Sequence, residues 1–298
     1  MPFNTKHSKL RISGTPPSSV AAKLSSSLAA LALSAFIFAY FPVWRDLIGA
    51  WSRSPESSHG FFIIPIFAFL VWKKSSTLTR LEPEGSTLGL LIVILSLLLY
   101  LFAHYAEIIT LRSLSIVPLI AGVVIYLYGF PIFKELIFPI TLLLFMIPIP
   151  SQIYSYLTIP LQLFVSKVSV WVAASLGVSV LREGNVIHLP EHTLQVVRAC
   201  SGMRSMVSLL ALSAVFGYLT LKSNLLRFGL FLVGVPVAIV VNAFRVLLIL
   251  LAFHYLHADL TRGISHQALG ILVFIVALLI LLIIRRVISP WDRSPAQS

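Results

Sequence analysis

One cysteine, one arginine and one histidine carry the most reactive groups in a chain that is otherwise apolar. Cys200 is the only cysteine among 298 residues, and it stands in the polar stretch VVRACSGMRS, directly before a long apolar run. Arg245 lies inside the apolar run VPVAIVVNAFRVLLILLAF, and His266 opens the last apolar run in GISHQALG. A thiol, a fixed cation and an imidazole are the groups of an activated cysteine nucleophile.

The position of Cys200 favours a reactive thiol, although a lone cysteine in an apolar protein is most often a small buried hydrophobic residue. A helix is predicted to begin near Met203, and the unpaired N–H groups and dipole of a helix N-terminus favour the thiolate. Two cations, Arg198 and Arg204, flank the thiol in sequence and act in the same direction. The chain contains no second cysteine for a disulfide, so the thiol is either inert or chemically active.

Arg245 is expected to be functional because an arginine at the centre of a membrane span costs about 2.5–3.5 kcal/mol on insertion scales. The alternative is an arginine that extends to the interface or pairs for structural reasons. The apolar run ends at Phe253, which puts Arg245 about 12 Å below that end. The residues expected to line the same site are Ser201, Gly202, Arg204, Asn242, His59 and Arg198.

The composition is that of a membrane protein with several spans. The chain is 58% hydrophobic and only 11% charged. Its net charge of +12 does not indicate nucleic-acid binding, because much of the basic charge falls in short stretches between apolar runs. No phosphate-binding glycine loop occurs, and His254, His257 and Asp259 are only a weak metal half-site. We expect no cofactor and no metal.

Nine apolar runs are candidate spans: 26–43, 58–72, 86–103, 112–129, 132–149, 155–177, 203–221, 226–252 and 266–284. Basic residues favour the cytoplasmic side, which applies to the N-terminus, to Lys73, Lys74 and Arg80, to Lys222 and Arg227, and to Arg285 and Arg286. Nine crossings cannot place both termini inside. One run is therefore predicted not to cross.

The run 155–177 is predicted to lie on the outer face instead of crossing. Its polar residues form one helical stripe, Thr158, Gln162, Ser166 and Ser169, opposite an apolar face of Leu157, Leu161, Phe164, Val168 and Trp171. The fold class predicted is an all-α polytopic membrane protein with about eight transmembrane helices, this outer amphipathic helix and a small extracytoplasmic β-like cap. The cap is the strand-like segments of residues 178–198, separated by the turns EGN and PEHT.

Three motifs give the chain a resemblance to the exosortase/archaeosortase family of integral membrane proteins. They are ACSG at 199–202, NAFRV at 242–246 and SHQALG at 265–270, and REGNVIHLP and SHG also resemble family features. The resemblance covers about residues 30 to 285. It departs from the family at Arg198 and Gln267, where acidic residues are common.

The resemblance implies a cysteine protease or transpeptidase in a prokaryotic inner membrane, with catalytic residues Cys200, Arg245 and His266 on the extracytoplasmic side. Its partners would be membrane-anchored proteins that end in a sorting signal: a motif such as Pro-Glu-Pro, a span and a basic tail. The acceptor would be a lipid or glycan, with a link to exopolysaccharide and surface-protein processing. The predicted domains are a disordered cytoplasmic tail 1–23, an exosortase-like transmembrane domain 24–288 and a cytoplasmic tail 289–298.

Two other functions fit the same sequence. A transporter or channel for a lipid-linked saccharide would also have many spans and an outer polar cavity, but it should tolerate Cys200→Ala. A membrane scaffold for polysaccharide assembly should tolerate Arg245→Ala as well.

Overall fold

The computed structural model describes residues 34–54, 56–190, 193–195 and 203–292. The chain divides into two compact units, Met1–Asp46 and Leu47–Ser298. In the described part of the first unit, the ring of Phe36 lies 5.1 Å from that of Tyr40 and 6.4 Å from that of Trp44. The predicted disordered tail 1–23 and the start of the first apolar run lie outside the described residues.

The described residues are mostly helical. Residues 34–39 are helical and precede ten helices: α1 (Phe41–Arg53), α2 (Gly60–Lys73), α3 (Ser75–Leu78), α4 (Thr87–Tyr105), α5 (Ile109–Leu114), α6 (Ile116–Leu142), α7 (Ser151–Ser175), α8 (Met203–Thr220), α9 (Asn224–Leu256) and α10 (Gly263–Ile288). Short 3-10 turns follow α6 at Leu143–Met146 and α10 at Ser289–Trp291, and three strands lie between α7 and α8: β1 (Leu181–Glu183), β2 (Val186–His188) and β3 (Thr193–Gln195).

Three of the predicted basic clusters meet at one end of the helix bundle, which we call the basic end. The ammonium of Lys74 lies 5.6 Å from the ring centre of Tyr218, and the guanidinium of Arg227 lies 5.0 Å from the same ring. Arg285 donates from Nη2 to the carbonyl oxygen of Thr220 at 3.3 Å. These clusters therefore lie on one side, as the positive-inside prediction requires.

The apolar stretch Ile109–Met146 folds back at Gly129 into two antiparallel arms. Gly129 has φ 83° and ψ 179°, a backbone conformation that only glycine adopts readily. The hydroxyl of Thr110 donates to the carbonyl oxygen of Pro148 at 3.2 Å, so the two far ends of the stretch lie together. Each arm has about 19 residues and a length of about 28 Å, close to the thickness of a bilayer core. The predicted division of this stretch into two runs is confirmed.

α2 runs antiparallel to the second arm of this hairpin. At one end of α2, Nε2 of His59 lies 2.9 Å from the carbonyl oxygen of Phe145. At its other end, Lys74 forms an ion pair with Glu135. The helix has only 14 residues, but these contacts carry it from one end of the arm toward the basic end, which supports its treatment as a span.

Both ends of α7 lie at the end of the bundle opposite the basic end. Ser151 lines a cavity together with His59, and the hydroxyl of Tyr255 donates to the carbonyl oxygen of Leu176 at 2.9 Å. Tyr255 is near the C-terminus of α9, which begins at the basic end and extends 33 residues. α7 is long and apolar enough to cross a membrane. These contacts nevertheless place both of its ends on the same side of the bundle.

The polar stripe of α7 faces protein, whereas an exposed interfacial helix would turn it to water. All four stripe residues are buried, while Trp171 on the opposite face is 72% exposed. The hydroxyl of Ser169 donates to the carbonyl oxygen of Ala243 at 2.9 Å, and that of Ser166 donates to Gly184 at 3.2 Å. The stripe is therefore the face through which α7 holds α9 and the strand hairpin, and its apolar face is left for lipid.

The predicted cap is a three-stranded antiparallel sheet in the order β1-β2-β3. Glu183 pairs with Val186 across a two-residue turn, in which Gly184 has φ +64°, as a tight hairpin requires. Ile187 pairs with Leu194, and both side chains are buried in the same apolar core as α8, α9 and α10. One face of the small sheet is thus anchored to the bundle.

The described residues contain five helical stretches that are long and apolar enough to cross a membrane, and two shorter apolar helices, Gly60–Lys73 and Ser205–Thr220. The chain is thus a multi-pass membrane protein. The number of eight spans is not confirmed by these counts and stays a prediction. At the C-terminus, Asp292 accepts hydrogen bonds from the backbone N–H groups of Lys222 and Ser223, so the predicted tail 289–298 begins as an ordered segment.

Candidate functional site

Arg245 and His266 lie in contact although 21 residues separate them in sequence. α9 and α10 are antiparallel, since Asp292 contacts the N-terminus of α9 while His266, in the first turn of α10, lies beside Arg245. Nη2 of Arg245 lies 3.0 Å from Nε2 and 3.5 Å from Nδ1 of the imidazole. Two of the three residues predicted from sequence are therefore brought together.

The direction of this hydrogen bond determines the form of the imidazole. A guanidinium has N–H donors and no acceptor, so Nε2 of His266 accepts from Nη2 of Arg245 with its lone pair. This arrangement requires the tautomer of a neutral imidazole that carries its hydrogen on Nδ1. A neutral histidine that already faces a fixed cation is suited to take up a proton only when a nearby anion offsets that cation.

Gly270 lies against the guanidinium of Arg245, a contact that the sequence motif did not reveal. It lies one turn after His266 on the same face of α10. A Cβ at this position would lie 3.6 Å from Nη2 and 3.9 Å from Cζ of Arg245. The i, i+4 spacing of His266 and Gly270 was the sequence signal for this contact, because residues four apart on a helix face the same partner.

Arg245 lies in the second half of α9. α9 continues to Leu256, and from Arg227 at the basic end to Arg245 the helix rises about 27 Å, close to the thickness of a bilayer core. The depth of Arg245, about 12 Å below the outer end of its apolar run, stays a prediction.

The guanidinium of Arg245 keeps one donor unused. Its Nε is buried and has no hydrogen-bond partner among the described residues. A buried charged donor without an acceptor costs about 1–3 kcal/mol or more, and such a group in a native protein calls for an explanation. A ligand that carries or develops negative charge would supply the missing acceptor.

Two neighbours hold the backbone that carries Arg245. Asn242 lies three residues before it and is buried, with 6% exposure. The hydrogen bond from Ser169 to the carbonyl oxygen of Ala243 joins α7 to the same turn of α9. Asn242 thus lies beside Arg245 on α9 as predicted, and the stripe of α7 fixes the position of that turn.

His59 lies in a cavity of about 230 Å³ that also includes Ser151, Tyr154 and Val207. Val207 is one turn after the start of α8, so the cavity borders that end of α8. Burial lowers the pKa of His59 below its ordinary value, against the opposing effect of its hydrogen bond to the carbonyl oxygen of Phe145. The described contacts of His59 join α2 to the helical hairpin Ile109–Met146 and do not include Arg245 or His266.

The start of α8 lies level with Arg245. Ser213 of α8 packs on Gly234 of α9, where its hydroxyl would lie 3.0 Å from an added Cβ. From this contact, Met203 and Phe244 are equally far along the two antiparallel helices, about 15 Å. Cys200, Arg198, Ser201 and Gly202 lie outside the described residues, as does the side chain of Arg204.

The weak metal half-site does not form a cluster. In the described ranges, no group of three or more His, Cys, Asp or Glu side chains is arranged to hold a metal ion. Asp259 instead accepts from the backbone N–H and the hydroxyl of Thr261, and the ring of His254 packs edge-on against Tyr255 at 4.6 Å.

Comparison with known proteins identifies the family. No curated protein and no solved structure matches the chain. The family model described as transmembrane exosortase matches residues 51–283, a range that includes the motif around Cys200, the Arg245 and His266 contact, the cap and most of the apolar helices. Such membership supports a membrane protein-sorting transpeptidase in general terms. The motifs, the helical membrane fold and this match over most of the chain lead to one conclusion: the protein belongs to the transmembrane exosortase family.

Proposed function

We propose that this protein is a membrane cysteine transpeptidase or protease in which Cys200, Arg245 and His266 cleave the C-terminal sorting signals of exported proteins. The observation that carries the proposal is the contact of Arg245 with His266 at 3.0 Å, together with the buried Nε of Arg245 that has no acceptor among the described residues. Family membership supports the sorting reaction in general. The roles of the three residues are our inference.

The length of chain between Cys200 and α8 limits where the thiol can be. Cys200 precedes Met203 by three residues, so their Cα atoms are at most about 11 Å apart. Met203 begins α8 at the level of Phe244, one residue before Arg245. This limit is compatible with a thiolate that reaches the unused donor of Arg245, which would stabilise it.

The proposed reaction has two stages. Sγ of Cys200 attacks the carbonyl carbon of the scissile peptide bond, His266 takes the thiol proton, and Arg245 donates hydrogen bonds to the developing oxyanion. The C–N bond then breaks, the amine leaves with a proton from His266, and the acyl group remains on sulfur as a thioester. An amine or hydroxyl of an acceptor resolves the thioester in sorting, and water resolves it in proteolysis.

We infer the substrate and the location from the family resemblance. The substrate class is a membrane-anchored protein that ends in a Pro-Glu-Pro-type motif, a span and a basic tail, and the acceptor is a lipid or glycan of the cell surface. Cleavage takes place at the end of the bundle opposite the basic end, on the outer side of a prokaryotic inner membrane. This arrangement fits a role in exopolysaccharide and surface-protein processing.

Co-expression with a reporter protein that carries such a signal tests the proposal. Processing should be abolished by Cys200→Ser, because a serine hydroxyl does not ionise near neutral pH, and by His266→Ala. His254→Ala is the matched control, since it removes a histidine from the same end of the bundle. Labelling of Cys200 by a membrane-impermeant thiol reagent should shift to higher pH in Arg245→Ala.

Either of two results would remove the basis of the proposal. One is normal processing by the Cys200→Ala variant, which a transporter or a scaffold would allow. The other is the same pH dependence of labelling with and without Arg245, which would mean that the cation does not act on the thiol.

A further inference from the structure

A groove of about 600 Å³ lies between the helical hairpin Ile109–Met146 and the helices α8 and α9, far from the proposed catalytic groups. Three cations and one carboxylate line it: Lys74, Lys134, Arg227 and Glu135. With these groups ionised, the groove carries a net charge of +2. We call it the basic groove.

Two of the three cations of the basic groove are held by hydrogen bonds and still have donors for a ligand. Arg227 donates from Nε to the carbonyl oxygen of Leu221 at 2.9 Å and from Nη1 to Asn224 at 3.1 Å, which leaves the N–H groups of Nη2 for a ligand. Lys74 donates one of its three N–H groups to Glu135. Burial disfavours the ammonium of Lys74, but its hydrogen bond to Glu135 and the nearby Tyr218 outweigh that effect and raise its pKa.

A rigid aromatic floor separates the cations. The ring of Tyr218 stacks on Phe138 at 3.9 Å with an interplanar angle of 7°, and both Lys74 and Arg227 lie over the ring of Tyr218. The stacking fixes the spacing of the two cations. Arg227 forms no ion pair among the described residues, although the carboxylate of Asp292 is near enough to interact with it electrostatically. The floor therefore presents positive charge toward the groove.

The rest of the groove is apolar and opens on the outer surface of the bundle. Its wall residues Ile137, Leu144 and Phe228 are 49%, 44% and 58% exposed. From Lys134 to Phe145 the groove follows the hairpin arm for about 16 Å, close to half the thickness of a bilayer core. The basic groups are at one end of this length and the aromatic and aliphatic groups fill the remainder.

We propose that the basic groove binds one anionic phospholipid of the leaflet at the basic end, with its phosphate among Lys74, Lys134 and Arg227 and an acyl chain along Ile137 and Phe228. Basic residues near a membrane surface attract anionic lipid headgroups, and the exposed apolar wall matches a hydrocarbon chain. A soluble phosphate would use only the charged end. A substrate span with a basic tail would bring positive charge against three cations.

Native mass spectrometry of the purified full chain in detergent measures this binding directly. The probes are phosphatidylglycerol, phosphatidylcholine with the same acyl chains, and inorganic phosphate. We expect phosphatidylglycerol to bind with one-to-one stoichiometry and more tightly than phosphatidylcholine. Inorganic phosphate should not displace it at equal concentration, because the acyl chain contributes to the affinity.

Three variants locate the site. Lys134→Gln and Arg227→Gln should each weaken phosphatidylglycerol binding about fivefold, the factor that corresponds to about 1 kcal/mol per basic residue. Lys134 is exposed and forms no hydrogen bond or ion pair with other described residues, so its variant should fold even if Arg227→Gln does not. Arg286→Gln is the matched control, because Arg286 is an exposed cation of the basic end outside the groove.

The outcomes separate the alternatives. Equal weakening by Arg286→Gln would mean general attraction to a basic surface, and equal binding of phosphatidylcholine would mean that the headgroup charge is not recognised. Displacement by inorganic phosphate at equal concentration would indicate a soluble anion. Unchanged affinity in Lys134→Gln would also overturn the assignment. None of these results depends on the peptidase chemistry.

Discussion

Replacement of Arg245 by lysine tests whether the shape of the guanidinium, and not only its charge, is needed. Lysine keeps a positive charge but presents one compact ammonium in place of a planar fork of five donors. It loses Nε, which is buried without an acceptor among the described residues, and it cannot contact His266 from the position of Nη2. The perturbation thus removes two directed donors and leaves the net charge unchanged.

The size of the effect follows from those donors. Loss of one preorganised donor to an oxyanion lowers kcat about 100-fold to 1,000-fold, or about 3–4 kcal/mol. We expect a loss of this size in Arg245→Lys, since Nε is the donor that has no other partner. Stability should change little, because Arg245 is only partly buried and the long side chain of a lysine can extend its ammonium toward water or headgroups.

The assay is the first-order rate of reporter cleavage by purified protein in detergent or nanodiscs, with thermal unfolding followed in parallel. Arg262→Lys is the control, because the side chain of Arg262 is 89% exposed and lies one residue before α10. Arg262→Lys should cleave at the parent rate. If Arg245→Lys cleaved within about threefold of the parent rate, the donor geometry would have no role and only the charge of Arg245 could matter.

Three further outcomes are expected from the structure. Gly270→Leu should displace the guanidinium of Arg245 and lower reporter cleavage at least 10-fold without unfolding the protein, whereas Gly270→Ala should remain active because its Cβ would be in ordinary contact at 3.6 Å. Gly129→Ala should lower the unfolding temperature far more than Gly177→Ala. Both glycines have positive φ, which costs an alanine about 1–2 kcal/mol. Only the Cβ at Gly129 would also collide with backbone atoms. Acidification below pH 6.5 should destabilise the protein, because burial lowers the pKa of His59 in the folded state and the unfolded chain takes up the proton first. The His59→Gln variant should therefore lose less unfolding temperature than the parent between about pH 7 and about pH 5.

Much of the architecture could be predicted from the order of residues alone. Apolar runs of membrane length mark helices because an unpaired backbone cannot lie in hydrocarbon, and the runs at 86–103, 226–252 and 266–284 coincide with α4, α9 and α10. The turn EGN predicted a hairpin that the structure contains between β1 and β2. The polar stripe of 155–177 predicted a helix with two faces, and its four residues are indeed on one buried side.

Other features depended on contacts that periodicity does not contain. A stripe of Thr158, Gln162, Ser166 and Ser169 shows that one face is polar, but whether water or protein covers it depends on the neighbours that pack there. Here Ala243 of α9 and Gly184 of the hairpin supply the acceptors. Similarly, an arginine in an apolar run has no defined depth until the helix length and its partners are known.

The candidate site shows the same division between local pattern and packing. The residue types of Arg245 and His266 and their places in NAFRV and SHQALG were sufficient to select them. Their contact at 3.0 Å required the antiparallel register of α9 and α10, which is set by side chains along both helices and by Asp292 at the far end. Gly270 lies beside the guanidinium only because of that register, which places the side chain of Arg245 against this face of α10.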